Sequence, residues 1–535
     1  MKRFTGTILL GLCLFSFLSA VRGQQRFSKA DLQRGSELAD TYCSVCHLRP
    51  DPGIVSRKVW DLKILPNMAA IMGLFDEFYG DEKENILKSG KVLRKPLLPM
   101  DQYKYIAAYY VSHAPRELTL EPRQRLRATD LFRIHTRRFV QPLAMDALAK
   151  VDERNGDVFV GSANPGGLQR MNVFRQGVDV LATNYVPTRV VRVDDGIYVT
   201  GMKRYIPTEL QEGLVQFIPR EGDGYGEPVT LLDGLPRTSD LHILDMNGDG
   251  RDDILLGMFG FYTGRFSWFE NLGKRKFREH VLFDRSGAVR AIVKDLNSDG
   301  HRDIAVLIAQ EIETLYFLIN DGTGKYDAEV IMRQHPAWGY TNFELVDINQ
   351  DGMDDLLTTN GDFDYDAPNR PYHGFRIYNG VAWNRFEEAF FHEIGGAYDF
   401  AAEDFDADGD VDIVTVGYTP VALDSERLLY FENRSAKGFG VLRIRGAEEG
   451  RWLQVDAGDV TGDGKPDLVL SCNVAGPGTG TGGNFRRYDN WKAFPVANLI
   501  LENTRGETSA RVLEQRLQER ASLRGGAGTR IRFIP

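Results

Sequence analysis

The sequence predicts a multidomain protein, a small all-α domain followed by an all-β propeller of seven blades. Three observations carry this. First, Asp245-Met246-Asn247-Gly248-Asp249-Gly250-Arg251-Asp252-Asp253 places oxygen-bearing side chains at positions one, three, five and nine, with glycine at six. Second, the pattern returns at Asp295, Asp347, Asp404 and Asp459, at intervals of 50 to 57 residues, which marks an internal repeat. Third, apolar residues recur at helical spacing up to about residue 120, and from about 130 onward short alternating strands replace them.

The chain has 535 residues and a formal charge of −10, part of it from the Asp-rich loops. No basic run or stripe points to nucleic acid. Met1-Lys2-Arg3, the apolar run Ile8 to Leu18 and then Ala20 to Gly23 read as a signal peptide over 1–23. The apolar run is too short for a stable bilayer anchor, so the expected mature protein is periplasmic or secreted, with no membrane span. Cys13 lies inside that run and is not read as a lipidation site. Cys43, Cys46 and Cys472 remain, too few for a disulfide scaffold. Cys472 follows Leu468-Val469-Leu470 and reads as a buried thiol.

Cys43-Ser44-Val45-Cys46-His47 is the most specific short motif. Two thiols at this spacing can each add to a haem vinyl group, and the adjacent His can then ligate the iron. A zinc site would need a second ligand pair, and none is near. A thioredoxin-type pair would need a βαβ setting, and the flanks are helical. Ser28 can cap a helix over Phe27 to Tyr42, with Leu32, Leu38 and Tyr42 near one face. Val59 to Met72 is a second helix, interrupted or restarted at Pro66, and Asp101 to His113 a third. Residues 26–120 therefore resemble a single-haem cytochrome c domain. The expected cofactor is one covalent haem c on Cys43 and Cys46, with His47 axial. Met68 is the first candidate for the other axial ligand, followed by Met100 and Met72.

Residues 121–135, with Pro122, fit a linker or strap, and 136–535 the propeller. The repeat at Asp245 reads as strands Asp240 to Leu244, Ile254 to Met258, Phe266 to Asn271 and Phe277 to Phe283. Ala147 to Val151 and Val190 to Val193 open two degenerate repeats, and the last begins near Arg451. One such sheet cannot bury its faces alone, and seven stacked radially can. Either Arg530 to Ile534 or Leu131 to Phe139 could complete the terminal blade.

By position, the side-chain ligands for a hard cation are Asp245, Asn247, Asp249 and Asp253; Asp295, Asn297, Asp299 and Asp303; Asp347, Asn349, Asp351 and Asp355; Asp404, Asp406, Asp408 and Asp412; and Asp459, Thr461, Asp463 and Asp467. The glycine at six permits the sharp turn. Position twelve is never Glu, so these are not EF-hands. The Asp404 loop, with Asp410 as well, is the most acidic, whereas Thr461 should weaken the last site. These loops resemble FG-GAP or VCBS repeats of integrin-like propellers. The whole chain is similar to secreted bacterial proteins that join an N-terminal cytochrome c to such a propeller. The resemblance implies Ca²⁺ in up to five loops, in a structural role.

The expected function is electron transfer with an electron-donor or acceptor protein. The propeller would bind a partner or ligand, such as a glycan, a small molecule or a protein. The connections around Phe259 to Arg265, Asn360 to His373 and Asn473 to Trp491 are the candidate binding loops. The alternative is an oxidoreductase whose propeller holds a substrate while the haem accepts electrons. No Ser-His-Asp order, zinc motif or nucleotide loop points to another enzyme class.

Overall fold

The computed structural model describes residues 27–74, 82–119, 125–139, 144–164, 166–174, 178–205, 208–310, 312–362, 370–418, 427–474 and 496–506. The signal-peptide reading falls outside them. No helix among the described residues is long and apolar enough to cross a membrane.

Helix α1 spans Lys29–Tyr42. Ser28 caps it: its Oγ accepts from Asp31 N at 3.2 Å, and the Asp31 carboxylate accepts from Ser28 N at 2.7 Å. The buried positions are Gly35 and Ala39, rather than the larger residues the sequence pattern favoured. The reason is the close crossing of the last helix, α5, at Met100–His113. A Cβ on Gly35 would lie 2.1 Å from the Tyr105 carbonyl oxygen.

The middle segment begins as α2, Arg57–Val59, widens into a π turn over Trp60–Ile64 and continues as α3, Leu65–Ile71. Pro66 was expected to interrupt or restart this segment, and the α-helix does restart there, with the proline in its first turn. Leu65 N–H donates to Trp60 O, five residues back, and the wider turn takes up the proline in the first turn of α3. A short helix, α4 (Lys83–Lys88), has too little periodicity to be legible in the sequence. The domain core packs Trp60, Tyr103, Ile106 and Tyr110. The polar tips of its aromatics are all satisfied: Trp60 Nε1 donates to Pro52 O, Tyr103 OH to Leu65 O and Tyr110 OH to Pro50 O.

The rest is a propeller of seven antiparallel sheets. Blade 1 begins at Asp146, blade 2 at Val186, blade 3 at Thr238, blade 4 at Ala288, blade 5 at Tyr340, blade 6 at Ala397 and blade 7 at Trp452. The first strands of neighbouring blades touch in a cycle that returns from blade 7 to blade 1. Each second strand in blades 3 to 7 is buried along its whole length, because both of its faces meet other blades. One core cluster accordingly joins Leu255 and Phe266 of blade 3 to Ile304, Val306 and Ile308 of blade 4.

Closure uses the N-terminal option. Strand Phe132–Phe139 pairs antiparallel with Val496–Asn503 as the fourth strand of blade 7. The strap before it runs beside blade 6, where Thr129 N donates to Arg443 O at 2.9 Å. The alternative closing strand, Arg530 to Ile534, lies outside the described residues.

The Asp loops join first and second strands, so all five lie on one face of the ring. The helical domain sits on the opposite face. Lys91 Nζ donates to Gly264 O at 2.7 Å and to Ser286 Oγ at 2.9 Å. Asn85 Nδ2 donates to Glu209 O, Tyr262 OH to Asn67 Oδ1 and Tyr372 OH to Ile54 O. Ala337 packs into the helical core.

Two substitutions test these joints. Gly35→Val should destabilise the helical domain by about 3 kcal/mol through overpacking, read from its thermal unfolding. Phe132, 3% exposed, packs its ring 5.4 Å from that of Phe405. Phe132→Ala should cost the propeller roughly 3–4 kcal/mol in denaturant unfolding; an unchanged midpoint would mean that another segment closes the ring.

Candidate functional site

Each Asp loop is built around its first carboxylate. Asp245 Oδ1 accepts from Gly248 N at 2.7 Å, and Oδ2 accepts from Gly250 N at 2.8 Å. Asp295, Asp347, Asp404 and Asp459 likewise accept from Gly300, Gly352, Gly409 and Gly464 N–H. The glycine at six has a left-handed φ in all five loops, between +78° and +95°, as its position in the motif predicts. Position four is left-handed too, and the sequence reading missed this. Gly248 and Gly462 suit it, but Ser298 (φ 62°), Gln350 (61°) and Ala407 (56°) pay a steric cost there.

The ninth-position carboxylates are fully buried at Asp253, Asp303, Asp355, Asp412 and Asp467. They tie the loop to the end of the third strand. Asp303 Oδ1 accepts from Asn320 N at 2.8 Å, and Oδ2 accepts from Leu296 N at 3.0 Å. Asp253, Asp355 and Asp467 repeat this with Asn271 and Met246, Gly380 and Ile348, and Asn503 and Val460. The Asn at the third-strand end adds a second tie. Asn271, Asn320, Asn433 and Asn503 each donate Nδ2 to the carbonyl just before the ninth position. An Asn ahead of each hairpin turn was the available signal, and it reads only as a turn former.

The Asp404 loop differs. Asp412 Oδ2 accepts from Tyr430 OH at 2.7 Å, and the backbone N–H of Phe405 turns away to Glu403 O. Among the described residues, Asp404, Asp406 and Asp412 form the one carboxylate group whose oxygens lie within 4.8 Å of one another. Asp404 Oδ1 is buried without a hydrogen-bond partner. Burial pushes Asp412 up to about 7, and the Asp406 and Asp408 carboxylates add to this. In the last loop, Thr461 Oγ1 donates to Asp467 Oδ2 at 2.9 Å, so its hydroxyl is already engaged.

Blades 1 and 2 lack the motif, and arginines stand there instead. Arg170 lies 2.5 Å from Asp179 and 3.5 Å from Asp157, while Arg192 lies 3.4 Å from Asp152. Both guanidinium groups face the Tyr225 ring, at 5.3 and 5.8 Å. A fixed guanidinium neutralises the buried Asp152 and Asp157, and Arg170 also pairs with the exposed Asp179.

In the helical domain, α1 ends directly before Cys43, and a 3₁₀ turn over Cys43–Val45 carries the chain to Cys46 and His47. Cys43 is half-buried against the core, Cys46 is exposed, and neither forms a disulfide. Burial pushes the Cys43 thiol up to about 11. The His47 Nδ1 lies 2.8 Å from Leu48 O. A carbonyl only accepts, so Nδ1 carries the proton and Nε2 is left with its lone pair. Burial also lowers the His47 pKa, which favours that neutral form. Met72 and Met100 belong to the apolar cluster that touches Cys43, whereas Met68 is half-buried outside it. Val45 and Leu48, beside the thiols, are 67% and 43% exposed. Cys472 is a buried thiol, as its strand position suggested.

The binding loops proposed from sequence are partly accounted for. Tyr262 faces the helical domain, and Arg265 pairs with Glu279 on its own blade. Arg370 and His373 are buried. Residues 363–369 and 475–495 lie outside the described residues.

The loop geometry yields two expectations. Ala407→Gly should stabilise the propeller by about 1 kcal/mol by relieving a left-handed residue. Asp303→Ala strands two backbone N–H groups and should cost about 3 kcal/mol. Chemical denaturation of each variant measures both, and a neutral Asp303→Ala would show that the carboxylate does not hold the blade.

Residues 245–306, 295–358 and 404–470 match the family model described as FG-GAP-like repeat. Each segment runs from one Asp loop into the strand after the next, so together they take in all five. No curated protein matches the chain. Among solved structures, a luciferin-regenerating enzyme aligns at 8% identity and TM-score 0.36, covering 57% of this chain and 96% of its own. The calcium-binding protein regucalcin of Agrobacterium tumefaciens aligns at 11% identity and TM-score 0.34, covering 68% and 91%. A protein from Lactobacillus plantarum aligns at 11% identity and TM-score 0.37, covering 62% and 89%.

Proposed function

We propose that the chain is an exported c-type haem protein. Its helical domain transfers electrons through one haem carried by Cys43 and Cys46, and its calcium-stabilised propeller binds a partner or ligand. The observation that carries this is the setting of His47. Its Nδ1 is anchored on Leu48 O beside two thiols at the edge of an apolar core, which leaves Nε2 available to iron. The exposed Val45 and Leu48 side chains beside the thiols suit an apolar macrocycle. The haem supplies one-electron exchange. Cys43 and Cys46 would anchor the haem covalently, His47 Nε2 would ligate its iron, and the Trp60–Tyr110 core would exclude water from it. Met68, Met72 and Met100 are the candidates for a second iron ligand.

The Asp loops fit a hard cation. Asp404, Asp406 and Asp412 converge, and a buried carboxylate oxygen there has no partner. Calcium would neutralise the crowded oxygens and cross-link the loop, with the Asp404 site tightest and the Asp459 site weakest. The signal-like sequence over 1–23 supports a periplasmic or secreted location, where calcium would be plentiful.

The alternative reading is an oxidoreductase whose propeller holds the substrate. It is favoured by the hydrogen bonds that join the helical domain directly to the propeller. A second, non-haem chromophore in purified protein would support it.

Optical spectra of protein matured with haem test the first reading. A low-spin c-type spectrum is expected, with a Met-to-iron band. That band should vanish in one of Met68→Ala, Met72→Ala or Met100→Ala. A high-spin spectrum that takes up small ligands would instead mean an open iron site. For the loops, a chelator should lower the melting temperature of the wild type, and Asp406→Ala should reduce that sensitivity; a melt indifferent to chelator would exclude structural calcium.

A further inference from the structure

Two histidines that neither the Asp loops nor the cysteine motif uses stand where blade 5 meets the helical domain. His335 lies in the turn that enters the blade, and His373 in the turn before its third strand. The Trp338 and Tyr372 rings stack 5.5 Å apart. The His335 ring stands edge-on to both, at 5.5 and 5.1 Å, and the His373 ring edge-on to Tyr372 at 5.2 Å. The same residues make the joint. Tyr372 OH lies 3.1 Å from Ile54 O and from Ala337 O, Ala337 packs into the helical core, and Asp51 lies within the field of His335.

This cluster is short of acceptors. Five of its buried side-chain nitrogens have no hydrogen-bond partner: His335 Nδ1, Trp338 Nε1, Arg370 Nε and both ring nitrogens of His373. His373 is fully buried. A neutral imidazole leaves one N–H unmet there, and an imidazolium would leave two and a charge. Positive groups surround the rings. Arg370 acts on both histidines and Arg376 on His373. Arg370 Nη1 donates to Ala337 O at 2.5 Å, and Arg376 donates to Asn360 Oδ1 at 2.6 Å and to Glu388 Oε2 at 3.2 Å. Among the described residues, the opposing carboxylates are Asp51, toward His335, and Glu313, toward Tyr372, which already accepts from Tyr340 N. Burial pushes His335 down to about 4, with Arg370 adding to this and Asp51 opposing it. Burial, then Arg370, Arg376 and His335, hold His373 well below the usual imidazole range.

We propose that this joint is an acid-sensitive latch: it holds the helical domain on blade 5 while His335 and His373 are neutral, and it opens as they take up protons. Once the turns part from Asp51 to Ile54, each ring can bind a proton below its ordinary value of 6.5. The open form therefore binds more protons than the closed form as pH falls. Its population gains about tenfold per pH unit for each ring that titrates. For His335 the gain runs from about 6.5 down to about 4, where the closed form takes the proton too. The latch depends neither on the haem nor on the Asp loops, which lie on the far face of the ring.

Hydrogen exchange on the intact protein tests this, at pH 7 and pH 5 and fixed calcium, with rates corrected for the intrinsic effect of pH. Protection of residues 51–57 and 334–340 should fall roughly 20-fold or more between the two, while Ile304 to Ile308 of blade 4 keep theirs. His335→Phe keeps a ring at the joint but takes no proton, and should shrink that fall about tenfold or more. His335→Phe with His373→Phe should abolish it. The single variant decides the matter if the double one does not fold, because His335 is only half-buried. Equal protection of the joint at both pH values in the wild type would overturn the latch. So would a fall of the same size in His335→Phe, or a loss of protection in blade 4 that keeps step with the joint.

Discussion

The propeller depends on one buried carboxylate, repeated in five blades. The aspartate that opens each second strand is wholly buried, and in four of the five blades backbone N–H groups hold it on both sides. One oxygen holds the end of the third strand, and in four of the blades the other holds the Asp loop. Removing water from a carboxylate is expensive unless it is well bonded. That cost makes the arrangement specific, because a slipped strand would leave the charge unpaired. In blade 6 the second oxygen goes to Tyr430, and the carboxylates of the loop crowd together there. There the first carboxylate of the loop keeps a buried oxygen, Asp404 Oδ1, without a hydrogen-bond partner.

The blades without the motif show the other solution to the same problem. Arg170 and Arg192 bring permanent positive charge to Asp152, Asp157 and Asp179 and stand over Tyr225. The ring therefore has a sector of arginine-paired carboxylates and a sector of Asp loops. The helical domain bridges to the face away from the loops, through contacts on blades 2, 3 and 5. The Asp loops and the domain that carries the cysteine motif are thus kept on opposite faces of the ring.

Much of this was legible in the sequence because the loops combine a fixed spacing with a fixed glycine. Strand order in each blade, the seven-fold count and the helix cap at Ser28 followed from periodicity and turn chemistry. Other features were not legible, for physical reasons. Gly35 carries no apolar signal, yet it sets the crossing of α1 and α5. Left-handed backbone at Ser298, Gln350 and Ala407 is imposed by the loop and not encoded by those residues. Two segments had equal strand character for ring closure, and only pairing distinguishes Phe132–Phe139.

The most direct test of the whole reading is the intact mass of the protein made in cells with haem-maturation machinery, beside a Cys43→Ser, Cys46→Ser double variant. The wild type should gain the mass of one haem, which survives denaturation, and the variant should not. A wild type with the mass of the bare chain and two alkylatable thiols at Cys43 and Cys46 would contradict covalent haem, and with it the electron-transfer function.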